Sequence, residues 1–412
     1  MTDQAKTLAP AVAPAGETRR RLTGVRPPTV LQVVPSLGSG GVERGAADIA
    51  VALAAAGGKA IVASAGGPMV RELERAGVTH VVLPVDSKNP FVMMRNVDRL
   101  ARLIEDSGAE IVHARSRAPA WSAYYAARRT ERRFVTTFHG TYDHKSPLKR
   151  RYNAIMTRGD AVIAISHFIA EHLRAVYGVE GPHVRVIHRG VDLDVFSPGR
   201  VAAERLIELS HRWRLPDGMP VVMLPGRLTS WKGQRLLIEA LARLGRDDIR
   251  CLLVGDDQGR ARYRASLEAL IEKRDLAGVV QIAGHCRDMA AAYMLADVVV
   301  SASTKPEAFG RVAAEAQAMG RPVIASDQGA SRETVIPEET GILFPPGDAD
   351  ALANAIDHVL SLTGAVREEV AERAMAHIRA NFTKEKMCAE TLALYDELAG
   401  RVPGALPLPG AA

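Results

Sequence analysis

At 412 residues the chain exceeds the size at which a single hydrophobic core keeps growing, so two domains of roughly 150 to 200 residues are expected. A hydrophobic content of 47% and a charged content of 24% are those of an ordinary globular protein, and no run approaches the roughly 18 to 20 apolar residues that span a bilayer, which excludes a transmembrane anchor. The net charge of +6 is unevenly spread: between Arg115 and Arg158 eleven Lys and Arg face two acids, a local +9 that leaves the remainder slightly acidic.

Residues 1–28 are rich in Ala and Pro without a continuous apolar stretch, which predicts a disordered lead-in rather than a signal peptide and a cytoplasmic protein. Strands follow at TVLQVV (29–34), KAIVAS (59–64), THVVL (79–83), EIVHA (110–114), RFVTTF (133–138), AVIAI (161–165) and HVRVI (183–187), with helix-length amphipathic segments between them. That alternation is the pattern of βα units on a parallel sheet. The stretch GVDLDVFSPG breaks the rhythm near Phe196, and a polar helix near 201–213 leads into a second series: PVVMLP (220–225), RCLLVG (250–255), VVQIAG (279–284), DVVVSAS (297–303) and PVIAS (322–326). The expected fold class is α/β, with two Rossmann-like doubly wound domains, 29–196 and 197–383, facing across a cleft, since ligands bind outside the carboxyl ends of such strands. Helices are expected at 365–381 and 384–398, the second packing back on the first domain, before a disordered tail at 400–412. Cys251, Cys286 and Cys388 are odd in number and scattered, so reduced structural thiols are expected, with neither disulfides nor a zinc site.

Three stretches carry chemistry. SLGSGGVERGAADIA follows the first strand, but Glu43 stands where the third glycine of a dinucleotide fingerprint would sit, and no acid ends the next strand to hold a ribose. Either Gly38, Gly40 and Gly41 let backbone amides at a helix start approach a ligand, or the stretch is a plain tight turn. LPGRLTSWKGQRLLIEAL places Arg227 just past a strand and Lys232 just before a helix; a planar fork and a mobile point charge in one loop suit a diphosphate. PEAFGRVAAEAQAMG puts Glu307 in the loop before a helix and Glu315 about two turns into it, with Phe309, Gly310 and Arg311 at the helix start, where amides are free for phosphate or sugar oxygens. A carboxylate among alanines loses hydration unless paired, so Glu315 needs a partner, either a ligand or an arginine of the chain. Ser166 and His167 are adjacent, which does not by itself establish the geometry a serine nucleophile needs, and the D-x-D pair Asp192 and Asp194, in the linker, is assigned a structural role rather than a metal.

G-R-L-x-x-x-K-G, E-x7-E, SDQGASRETV with Glu333, GILFPPGD, TFHG and ISHFIAEHL, together and in this order, resemble the retaining glycosyltransferases of family 4 with the GT-B fold, over about 30–398. HRGVD, TFHGTYDHKSPLKRRYNAIM and LLVGDDQGR are most similar to bacterial lipopolysaccharide-core mannosyltransferases, although many relatives carry an asparagine where Arg189 stands. The resemblance implies that Arg227 and Lys232 hold the donor diphosphate, Glu307 the transferred sugar and Glu315 the ribose, with His139 facing the donor; the helix-start backbone at Gly40, Gly41, Phe309 and Gly310 is expected to add donor contacts, and no metal or other cofactor is expected. It makes 29–196 the acceptor domain and 197–383 the nucleotide-sugar domain, with GDP-mannose as donor and a glycolipid or oligosaccharide as acceptor. A sugar-nucleotide epimerase and a non-catalytic nucleotide-sugar-binding protein are the alternatives. The basic belt around Trp121, Tyr124 and Tyr125 carries no nucleic-acid-binding motif; it suits an anionic inner-membrane surface or a phosphorylated glycolipid, or else the aromatics pack under a solvated face.

Overall fold

The computed structural model describes residues 27–38 and 40–401; the expected lead-in up to residue 26 and the tail from residue 402 lie outside the described residues. Contacts divide the chain into two compact units. The first runs to Ile163 and adds Gly181–Arg185 and the segment from Cys388 onward; the second comprises Ala164–Glu180 and Val186–Met387. The segment 164–180 therefore packs with the second unit although it follows a strand of the first series.

The first sheet carries β1 (Val30–Val33), β2 (Ala60–Ser64), β3 (Thr79–Val82), β4 (Ile111–Ala114), β5 (Arg133–Phe138), β6 (Ala161–Ala164) and β7 (Val184–Val186), in the order β3-β2-β1-β4-β5-β6-β7. Helices α1 (Gly41–Ala55), α2 (Val70–Arg75), α3 (Pro90–Ser107), α4 (Arg117–Arg129) and α5 (Pro147–Asn153) lie between its strands, and α6 (His167–Tyr177) follows β6. β1, β2, β4 and β5 are buried almost throughout, so their sequences read as continuous apolar runs rather than alternating ones. α3 shows how the local code works: Asn89 accepts from the Phe91 amide, Pro90 opens the helix, Gly108 closes it at φ 68°, and Leu100 and Ile104 share the buried face.

The second sheet carries β8 (Val221–Pro225), β9 (Arg250–Val254), β10 (Val280–Gly284), β11 (Val298–Ser301), β12 (Val323–Ser326) and β13 (Ile342–Phe344), in the order β10-β9-β8-β11-β12-β13. Its pairs are parallel. Helices α7 (Ala203–Trp213), α8 (Gln234–Leu244), α9 (Ala261–Lys273), α10 (Met289–Leu295), α11 (Arg311–Ala318), α12 (Ser331–Thr334), α13 (Ala349–Ser361) and α14 (Gly364–Asn381) surround it, and α15 (Lys384–Leu398) is the last helix among the described residues. Successive strand residues feed opposite layers: Val222 and Leu224 join Leu237, Ile238 and Leu352, whereas Val221 and Met223 join Trp213, Tyr293 and Ala316. β13 lies in GILF, which the strand pattern did not single out; it is a three-residue strand at the sheet edge.

In both sheets the strand order reverses once, between β1 and β4 and between β8 and β11. Those switch points leave the following loops with nothing crossing above them, which makes them the places for a ligand.

Candidate functional site

At the switch point of the second sheet, the loop after β8 carries Arg227 and Lys232, and the loop after β11 carries Glu307. Gly233 binds the two loops together: its φ is 81°, and a Cβ there would stand 1.9 Å from the Ala302 carbonyl oxygen. The Thr304 amide donates to the Trp231 carbonyl at 2.7 Å. This brings the Lys232 ammonium onto Glu307 Oε1, an oxygen that also accepts from Ser303 Oγ. The Lys232 and Glu307 side chains are only 16% and 14% exposed, so the pair is largely withdrawn from water and its charges are weakly screened. The Trp231 ring covers the ammonium, 4.5 Å from Nζ to the ring centroid. Arg227 is different: exposed, its guanidinium has no hydrogen-bond or ion-pair partner among the described residues.

Helix α11 begins at Arg311 after Gly310, whose φ of 83° turns the chain into the helix, so Glu315 lies about one turn in rather than two. The partner that its burial demands is within the chain: Tyr293 donates to Oε2 at 2.9 Å and Arg311 Nε to Oε1 at 2.9 Å. Burial, and then the Glu315 charge, push the Tyr293 phenol well above its ordinary pKa and keep it a donor. Arg311 was legible at i, i+4; Tyr293, alone in an alanine run 22 residues earlier, was not. Phe309 is 4% exposed and packs edge-on against Phe382, so it offers the site backbone rather than ring.

A second cluster adjoins Glu307. Ser166 Oγ donates to the Ala308 carbonyl at 2.7 Å, and Glu333 accepts from the His167 and Phe168 amides, each at 2.8 Å, and from His188 Nε2 at 2.9 Å. Burial opposes ionisation of Glu333, yet the His188 bond and the two amides outweigh it and hold its pKa below the usual carboxylate value. ISHFIAEHL, HRGVD and the motif containing Glu333 each marked a piece of this cluster, but nothing in the sequence joined Ser166 and His188 to Glu333 or to the Glu307 loop. Asp192 pairs with Lys384 at 2.7 Å and Asp194 with Arg200 at 2.9 Å, so the D-x-D acids are tied to cations of the chain.

The remaining candidates belong to the first unit. Gly40 caps α1, and a Cβ on it would stand 2.2 Å from Glu43 Oε2: the carboxylate already lies over the helix start where Gly41 begins, and an incoming anion would have to displace it. His139 directly follows β5 and is half-buried. Arg115 leaves the basic belt: 3% exposed, it donates to Gln32, Thr137 and the Gly45 carbonyl. The exposed charge starts further on, with Arg128, Arg129, Arg132 and Arg133 and, around α5, Lys145, Lys149, Arg150 and Arg151. Among the described residues no helix is long and apolar enough to cross a membrane.

Comparison with known proteins bears on both units. Residues 39–195 match the family profile described as Glycosyltransferase Family 4, and residues 207–377 that of Glycosyl transferases group 1. A crystallised glycosyltransferase from Rickettsia africae superimposes with a TM-score of 0.85 at 38% identity, covering 92% of this chain and all of that one. Anabaena HepE, solved with UDP-glucose, gives 0.77 at 25% identity over 89% of this chain and all of its own. The lipopolysaccharide glycosyltransferase WaaG gives 0.68 at 16% identity over 89% of this chain and 99% of its own, a likeness of fold alone. D-inositol 3-phosphate glycosyltransferases of Xylanimonas cellulosilytica and Mycobacterium tuberculosis are 33% and 31% identical over 60% of this chain, and the match spans 60% and 50% of their own lengths.

Proposed function

Because the chain belongs to the glycosyltransferases of GT-B fold, we propose that it is a retaining hexosyltransferase of family 4, moving mannose from GDP-mannose to a lipopolysaccharide-core or related glycolipid acceptor. The observation that carries the donor half of this reading is the Lys232–Glu307 pair, held by Ser303 and Trp231 beside the uncommitted Arg227 at the sheet's switch point. Two cations in one loop can neutralise the charge that grows on a departing diphosphate: Lys232, held by Glu307 and Trp231, needs little reorganisation, whereas the exposed Arg227 has to order on the phosphates. Glu307, tied down by two donors, suits orientation of sugar hydroxyls rather than attack. A leaving diphosphate oxygen can take the acceptor proton on the face it vacates, which preserves the anomeric configuration. On the resemblance alone, Glu315, whose oxygens Tyr293 and Arg311 already engage, is assigned the ribose and His139 a share in donor binding; the backbone at Phe309 and Gly310, and at Gly40 and Gly41, is assigned donor contacts from its place at helix starts.

A UDP-hexose donor is the second reading, favoured by the UDP-glucose in HepE, and the relatives' name favours a phosphorylated inositol as competing acceptor. Membrane attachment belongs to the first unit. Phe91 and Met94 at the start of α3 and Leu148 on α5 are 77%, 69% and 80% exposed, and α4 joins them, Ser122 bonding the Met93 carbonyl and Trp121 the Tyr152 carbonyl. Apolar side chains beside Lys149, Arg150 and Arg151 suit an anionic lipid surface. The test is a thermal-shift screen of GDP-mannose, UDP-glucose and their nucleotides, followed by acceptor trials with a core glycolipid extract and inositol phosphate. Ligand binding to the folded state must raise the melting temperature. A shift with GDP-mannose and glycosylated core lipid supports the first reading; no shift with any nucleotide sugar rejects both.

A further inference from the structure

We propose that Glu333 is a positioning residue for the donor site, clamping the start of α6 so that Ser166 holds the loop bearing Glu307. The inference rests on the donor-site reading above.

The first-turn amides of a helix need partners, and a helix normally finds them nearby. Here only one is met locally, the Ile169 amide by Ser166 Oγ at 3.1 Å. The His167 and Phe168 amides are taken by the two oxygens of Glu333, more than 160 residues away, where a carboxylate also meets the positive end of the helix dipole. His188, on Oε2, restrains the carboxylate from turning away. Ser166 is fully buried and has one proton, which it gives to the Ala308 carbonyl. On the other side, the Glu307 carbonyl accepts from the Ala330 amide at 2.9 Å, just ahead of α12, the helix that carries Glu333. The path closes on itself: from α12 through Glu333 to α6, through Ser166 to Ala308, and from Glu307 back to α12. Two adjacent peptide units of the Glu307 loop are thus tied to one element by independent routes, which leaves the carboxylate little freedom to drift.

His167, His188 and Glu333 also bring ligand-type atoms within 4.8 Å of one another. Three hydrogen bonds already engage the Glu333 oxygens, two on Oε2 and one on Oε1, and a divalent ion would have to replace the proton that His188 shares with them. The observations favour the clamp, and the metal becomes an outcome of the test.

The full chain is compared with Glu333→Gln, Ser166→Ala and the double variant by hydrogen exchange without donor, and then by turnover with whichever donor the wild type uses. Both single variants are expected to raise exchange at residues 304–310, and Glu333→Gln also at the first turn of α6, with β9 unchanged. Turnover should fall about tenfold while the donor KM stays within about twofold, as misplacement of a positioning contact predicts. The double variant should lose no more than the worse single one, because the two residues act in one path. Unchanged exchange at 304–310, turnover within twofold of wild type, or losses that multiply would overturn the clamp. So would EDTA reproducing the Glu333→Gln effect with Zn2+ reversing it. If the wild type turns over no donor, the functional reading fails, and the exchange data alone still decide the clamp.

Discussion

Glu307 and Glu315 are carboxylates of one motif held for different ends. Glu307 shares one oxygen between an ammonium and a hydroxyl at the carboxyl end of the sheet, whereas Glu315 is enclosed by alanines and held by Tyr293 and Arg311. Replacing Lys232 with Ala leaves Glu307 without its cation and, in the proposed role, takes a point charge from the leaving group; kcat should fall by about 100-fold or more, as for loss of a transition-state donor. Activity within a few fold of wild type would remove Lys232 from its role. At Glu315 the burial of the partners decides the order. Tyr293→Phe strips a buried carboxylate of a buried donor and should cost about 1–3 kcal/mol in urea unfolding. Arg311→Ala breaks a pair whose cation is 46% exposed and should cost under about 1 kcal/mol. The reverse order would mean that the helix surface, not the interior, supports Glu315. The sequence displayed both glutamates, both cations and the i, i+4 arginine, because these are local. It hid Tyr293, Ser303 as a donor and His188, because each acts through a contact that only the folded chain creates.

Among the elements, the loop between β8 and α8 is the one that geometry constrains most. Gly233 has a left-handed φ and no space for a side chain, whereas Gly245, at the other end of α8, has φ 66° and nothing within 4 Å of a Cβ. Gly245→Ala should therefore cost only the left-handed penalty, about 1–2 kcal/mol. Gly233→Ala adds a collision with backbone at the end of β11, so it should be the more destabilising and should also weaken nucleotide binding in thermal-shift titration. Equal effects of the two substitutions would show that the loop yields without disturbing Lys232. The strands β8 and β11 that lead into this loop and the Glu307 loop were legible because both of their faces are buried and their apolar runs are continuous. β13 was not: three residues at a sheet edge, next to a proline-rich turn, carry no periodicity. The packing of segment 164–180 with the second unit was equally hidden, since it rests on Glu333 and Ala308, far along the chain.

At the scale of the whole molecule, pH and surface chemistry are the accessible handles. His113 is fully buried between Tyr395 on α15 and Thr137 on β5, and burial, then the Arg115 charge, hold its pKa well below the usual value. The unfolded chain takes up that proton below about pH 6.5 and the folded chain does not, so stability is complete above that pH and falls on acidification, by at most about 1.4 kcal/mol per pH unit for one proton. His80 and His377, also kept low by burial, add to the same slope, so His113→Gln should flatten it in part between about pH 6.5 and 5; an unchanged slope would show that His113 takes up a proton in the fold. On the surface, charge reversal at Lys149, Arg150 and Arg151 should abolish sedimentation with phosphatidylglycerol vesicles and spare neutral ones, and wild-type protein that ignores anionic vesicles would remove the membrane reading. The central claim, that the second unit's switch-point loops drive retaining sugar transfer, is tested most directly by NMR of the anomeric proton in the product formed from GDP-mannose or UDP-glucose with a core glycolipid extract. An α-linked product from these α-linked donors, made by the wild type and lost in Lys232→Ala, is the predicted result; a β-linked product, or undiminished product from the variant, would contradict it.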